Sequence, residues 1–133
     1  MSATFKNTGT DAFSTESASY NTSCAAEFKS SSSKSIKLGK NTQYIAITLT
    51  DTGETFKADD VIYISGYNTW AISTDASKLN SNSDVATSVT TGTSKTDINV
   101  GSFKLPAGTY GNTLYLSRAT GNGTVITNIV IKR

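Results

Sequence analysis

The chain has 133 residues, enough for one hydrophobic core and short of two, since a length of this order buries roughly two-thirds of its unfolded surface. Its composition is 36% hydrophobic and 17% charged, with Ser, Thr, Asn and Gly prominent in the rest, which excludes a charged disordered tail and reads against a helix-rich enzyme. Twelve basic and ten acidic side chains leave a net charge of +2, too weak a field to mark nucleic acid or an anionic membrane as the partner.

The chain is expected to be one all-β domain, residues 1–133, with 1–33 the least defined part. Thr4–Lys6 and Ala25–Lys29 are short strand candidates, and Ser30–Ser33 reads as a loop. Residues 1–30 hold no apolar signal-peptide core, so Met1 reads as the initiator of a mature or excised segment, and a cytosolic origin would look the same. With Cys24 the one cysteine, no internal disulfide and no cysteine zinc cluster can form. Asn21-Thr22-Ser23 and Asn122-Gly123-Thr124 match the glycosylation sequon, as expected by coincidence in so hydroxyl-rich a chain.

From Ser35 onward, apolar and polar residues alternate with period two in short runs, the signal of half-buried strands. Ser35–Leu38 and Gln43–Thr50, joined through Gly39-Lys40-Asn41, read as antiparallel neighbours, the second with Ile45, Ile47 and Leu49 on one face. Val61–Tyr67, Trp70–Thr74, Val85–Val89 and Ile98–Leu105 follow, with Asp75–Asp84 a polar excursion and Pro106-Ala107-Gly108 a turn. Thr113–Arg118 and Val125–Lys132, joined by Thr120-Gly121-Asn122-Gly123, read as a closing hairpin. Short strands without helical periodicity or a long repeat predict a two-sheet antiparallel β-sandwich of jelly-roll type.

The chain has no histidine, so the commonest general base, the usual partner of a nucleophilic Ser or Cys, and the commonest transition-metal ligand are missing. Asp51, Glu54, Asp59 and Asp60 supply carboxylates for glycoside hydrolysis or, like Asp75 with Asp84, oxygens for a structural calcium ion. They sit around turns without EF-hand spacing and read as solvated, so no cofactor is expected. Gly121-Asn122-Gly123 lies between strands and opens no helix, so it reads as a turn and not as a phosphate loop. Cys24, with no histidine to activate it, reads as a small buried hydrophobe.

A sugar presents an apolar C–H face and a hydroxyl rim, which aromatic rings and amide or charged side chains match. Tyr67-Asn68-Thr69-Trp70 offers both at a strand end, the alternative for Trp70 being a place in the core. Tyr44, Tyr63 and Tyr115 oppose the isoleucines and leucines of their strands and would form an exposed stripe if those strands share a sheet. Lys37, Lys40 and Arg118, near strand ends, suit the carboxylates of an acidic polysaccharide such as pectin.

The run Phe56–Tyr67, the segment Leu114–Thr124 and the final Ile129-Val130-Ile131 resemble β-sandwich modules appended to polysaccharide lyases and related secreted glycan-degrading enzymes of gut bacteria, over roughly residues 34–133. The segment after Gly66-Tyr67 is shorter here than in those modules. The resemblance implies a non-catalytic, carbohydrate-binding, extracellular or cell-surface module, with a multidomain enzyme as its parent. In that reading Trp70 and Tyr67 stack on sugars, Asn68 bonds hydroxyls, and Arg118 with Lys37 or Lys40 orients the chain, with dissociation constants of about micromolar to millimolar. The alternative is a structural or adhesive sandwich, such as a virion decoration, head-fibre or surface-layer subunit. A third reading is an adhesin-type domain stapled by a Lys–Asn isopeptide bond at Asn128, set on the face of Ile126 and Val130.

Overall fold

A computed structural model describes residues 1–8, 13–19, 21–30 and 35–133, the side chains of 13–19, 29 and 30 excepted. Ser31–Ser33 of the expected serine loop lie outside the described residues. Eleven strands are assigned among them: β1 Ala3–Asn7, β2 Phe13–Ser19, β3 Ser23–Ser30, β4 Ile36–Leu38, β5 Ile45–Leu49, β6 Val61–Tyr67, β7 Thr69–Ser73, β8 Ala86–Thr90, β9 Asn99–Lys104, β10 Thr113–Arg118 and β11 Thr124–Lys132. They form two antiparallel sheets, a sandwich as the alternation predicted. One sheet runs β1-β5-β10-β7-β8 and the other β2-β3-β11-β6-β9. β4 joins the second sheet by pairing the first residues of β11, whose last residues pair β3 along the same side.

Period-two patterning decides which side chains meet between the sheets. β5 buries Ile45, Ile47 and Leu49, β10 buries Leu114 and Leu116, and β6 buries Ile62 and Ile64. Each such aliphatic side chain contributes about 1.5–3 kcal/mol when fully withdrawn from water. The N-terminal strands share this core: Phe5 of β1 and Phe28 of β3 meet edge to face across the sheets at 6.4 Å. Of the early strand candidates, Thr4–Lys6 falls in β1 and Ala25–Lys29 in β3. β2 escaped the sequence reading.

A bulge interrupts the β6–β11 ladder between Ile126 and Asn128. Ile126 faces the core, and after the extra residue Ile129 and Ile131 do so, which turns Asn128 and Val130 outward. Asn128 therefore does not share the face of Ile126, and its cross-strand partners are Glu27 and Ser65, not a lysine. Beside the bulge, Gly66 lies so close to β11 that an added Cβ would stand 1.9 Å from the Val125 carbonyl oxygen.

Two pairings and one shared face differ from those the sequence suggests. β4 and β5 lie in different sheets, so Gly39–Asn41 carries the chain across the sandwich and does not close a hairpin. β10 and β11 are likewise split, and the expected terminal hairpin is a crossover. Tyr44 and Tyr115 meet edge to face at 5.2 Å on the five-stranded sheet, while Tyr63 lies on the other beneath Lys132. The three tyrosines thus form no common stripe.

Candidate functional site

The carboxylates that sequence reading offered for catalysis or calcium are engaged by their own surroundings. Asp60, 1% exposed, accepts from Arg133 Nε and Nη2, both at 3.0 Å, and from the Lys57 N–H at 2.9 Å. Arg133 also donates to Glu54 and to the Thr55 carbonyl, and the Arg133 bond holds the Glu54 carboxyl below its usual range. Asp51 is held low chiefly by the Ser2 hydroxyl, and Asp59 pairs with Lys104 at 3.6 Å. Asp75 accepts from Ser77 N and Oγ, and Asp84 from Ser73 Oγ and from Thr74 N and Oγ1. Burial raises the Asp84 carboxyl, but those hydrogen bonds outweigh it and its pKa falls. Among the described residues no group of three or more His, Cys, Asp or Glu is placed to hold a metal ion.

The Tyr67–Trp70 segment divides by burial. Trp70 is 0% exposed in the core, so it offers no ring face to a sugar; β7 buries it there together with Ile72. Asn68 is the hinge that carries the chain from β6 in one sheet to β7 in the other, with φ +70°, a region asparagine tolerates better than most residues. Its amide donates to the Gly123 carbonyl at 2.5 Å, and its carbonyl accepts from the Thr91 hydroxyl at 2.6 Å. Arg118 is similarly committed: Nε and Nη2 donate to Asn41 Oδ1, and Nη1 to the Gly39 and Gly121 carbonyls, at 2.8–3.1 Å. It staples the β4–β5 and β10–β11 loops together. Lys40 and Lys37 line a small cleft of about 180 Å³ with Gly39 and Gln43, whose side-chain oxygen accepts from Gly39 N and Lys40 N.

Tyr67 and Lys37 do come together, on the outer face of the six-stranded sheet. Val125 of β11 pairs Lys37 on one side and Tyr67 on the other, giving a cross-strand row Lys37–Val125–Tyr67. Tyr67 bridges Gly92, and just past Gly92 the chain makes a turn closed by a Ser94–Asp97 bridge that carries Lys95. These elements enclose an open groove of about 450 Å³ lined by Ser35, Lys37, Tyr67, Lys95, Ile98, Val125 and Thr127, within the size range of ligand pockets. Val125 and Ile98 add apolar floor and wall to the tyrosine, and the Thr127 hydroxyl donates to the Ser65 carbonyl and keeps acceptor capacity. The stem of Lys37 crosses Gly123, where a Cβ would stand 2.7 Å from Cε.

Sequence reasoning found Tyr67 and Lys37 and missed Ser35, Lys95, Ile98, Val125 and Thr127. Val125 had a signal, since it alternates with inward Ile126 and so shares the face of Lys37. Lys95 had none, because it sits in a polar turn whose position depends on the tertiary path.

At the sequons, Asn21 is exposed, whereas Thr124 of the second is fully buried. Among the described residues no helix is long and apolar enough to cross a membrane. No protein-family model, no curated protein and no solved structure matches this chain.

Proposed function

We propose that this chain is a non-catalytic polysaccharide-binding domain whose ligand lies in the groove over the outer face of the six-stranded sheet. The observation that carries the reading is the groove's lining: an aromatic ring, two apolar side chains, two hydroxyls and two lysines, in an open cleft of about 450 Å³. Tyr67 would take the C–H face of a sugar, and Ser35, Thr127 and the lysines its polar rim. The absence of histidine and the engagement of the turn carboxylates by neighbouring donors both favour binding without turnover. The setting that accompanies the reading is extracellular or cell-surface, with a larger glycan-degrading enzyme as parent. Strands β4–β11 also support the jelly-roll type, since their orders 4-11-6-9 and 5-10-7-8 fill two sheets with most connections crossing between them.

The test is affinity gel electrophoresis of the purified chain against plant and host polysaccharides, beside Tyr67→Ala. Retardation of the native protein and its loss in the variant would support the reading, and no retardation on any glycan would end it. The structural or adhesive alternative is favoured by one observation: Ile98 and Val100, 45% and 61% exposed, lie together at the start of the edge strand β9. It requires stable self-association in sedimentation velocity that Val100→Ser weakens, and a monomer at micromolar concentration would exclude it.

A further inference from the structure

The groove also carries a charge signature, whose meaning rests on the polysaccharide reading. Several basic groups of the molecule are matched: Lys57 faces Glu54, Lys104 faces Asp59, Arg133 is held by Glu54 and Asp60, and Lys132 lies over the Tyr63 ring at 5.5 Å. Lys37, Lys40 and Lys95 differ. All three are exposed and, like Lys6 and Lys78 elsewhere on the surface, have no carboxylate within ion-pair distance among the described residues; what sets them apart is that they line the groove and its adjoining cleft. The acid nearest to Lys95 in sequence, Asp97, is turned to its own loop: Oδ2 accepts from Thr93 N and Oγ1, and Oδ1 from Asn99 Nδ2.

The two lysines of the groove stand on opposite banks. Lys37 is on β4 and Tyr67 on β6, with β11 between, so their backbones are two strand spacings apart, about 10 Å. Lys95 lies beyond Tyr67 on the 93–98 segment. The hydroxyls of a neutral sugar can accept hydrogen bonds from two ammonium groups but leave their charge unmatched, whereas a chain carrying anionic groups also neutralises both. We propose that the groove takes a polyanionic glycan, with Lys37 and Lys95 binding its carboxylate or sulfate groups from either bank while Tyr67 stacks on the sugar ring between them. Lys40, in the adjoining cleft with Lys37, extends the same cationic track.

The test uses the whole chain and titration calorimetry with matched probes: polygalacturonate against its fully methyl-esterified form, and chondroitin sulfate against desulfated chondroitin, which retains its carboxylates. Polyglutamate serves as an anionic polymer without sugars. The variants are K37Q/K95Q, Tyr67→Ala, and K6Q/K78Q, which removes the same charge elsewhere on the surface, each confirmed folded by thermal melting. The proposal expects binding to at least one charged glycan that weakens about tenfold or more, about 1.4 kcal/mol, in K37Q/K95Q and on that glycan's esterification or desulfation but not in K6Q/K78Q. It also expects weakening as salt rises from 50 to 500 mM. Loss on desulfation would name sulfate as the group read, and loss on esterification carboxylate. Binding to neutral glycans that needs Tyr67 and ignores K37Q/K95Q would overturn this inference and leave the polysaccharide reading standing. Equal binding of polyglutamate with no effect of Tyr67→Ala, or no binding of any glycan, would overturn both.

Discussion

Removing Arg133 should cost the fold more than any other surface-reaching charge, because its main partner is not at the surface. Asp60 is 1% exposed and receives two hydrogen bonds from the guanidinium, leaving only the Lys57 N–H if that group is deleted. Breaking a buried ion pair by removing one partner costs about 3–5 kcal/mol. The Arg133 side chain is 25% exposed, so water can replace part of what is lost, and Arg133→Ala should cost about 3 kcal/mol. Against a domain stability of about 5–15 kcal/mol this is a large fraction. In urea unfolding it corresponds to a midpoint lowered by about 1–3 M at an unchanged slope. Asp60→Asn combined with Arg133→Met should recover part of the loss. A deficit under about 1 kcal/mol would refute this account of the Arg133–Asp60 pair.

Trp70→Ala should destabilise the domain by about 3–5 kcal/mol, and acrylamide should scarcely quench native Trp70 fluorescence; efficient quenching would contradict its burial. Burial pushes the Cys24 thiol up to about 11, so at pH 8 it should react with a disulfide reagent about a hundredfold more slowly than an ordinary thiol until urea unfolds the chain. Asp51, Glu54, Asp75, Asp84 and Asp97 all have lowered native pKa values. Their contribution is complete above the ordinary carboxylate range and is lost as pH falls through the native values, so thermal stability should drop below about pH 4. A melting temperature flat from pH 6 to pH 2.5 would refute that.

The sandwich was legible because β5, β6 and β10 alternate cleanly, and a half-buried strand needs little else to announce itself. β2 hid because Phe13–Ser19 is mostly hydroxyl-bearing and offers no apolar stripe. Pairing was harder than strand identity. Gly39–Asn41 and Thr120–Gly123 have the composition of hairpin turns, yet both carry the chain between sheets, because which apolar faces meet is settled by the whole core and not by the turn. The bulge at Thr127 reverses the facing of β11 without any glycine or proline to mark it. The aromatic segment Tyr67–Trp70 drew attention as a unit, but Asn68 turns the chain between sheets, so Tyr67 ends on an outer face and Trp70 inside. Arg118 looked free for a ligand because its acceptors come from residues distant in sequence or from backbone carbonyls, neither of which a motif displays.

Whether the Tyr67 groove binds polysaccharide is decided by affinity gel electrophoresis of the native chain beside Tyr67→Ala. Retardation by at least one polysaccharide is expected, lost in a variant whose melting temperature stays close to that of the native protein. Full retention by Tyr67→Ala, or migration of the native chain unaltered by every polysaccharide, would contradict the groove's role.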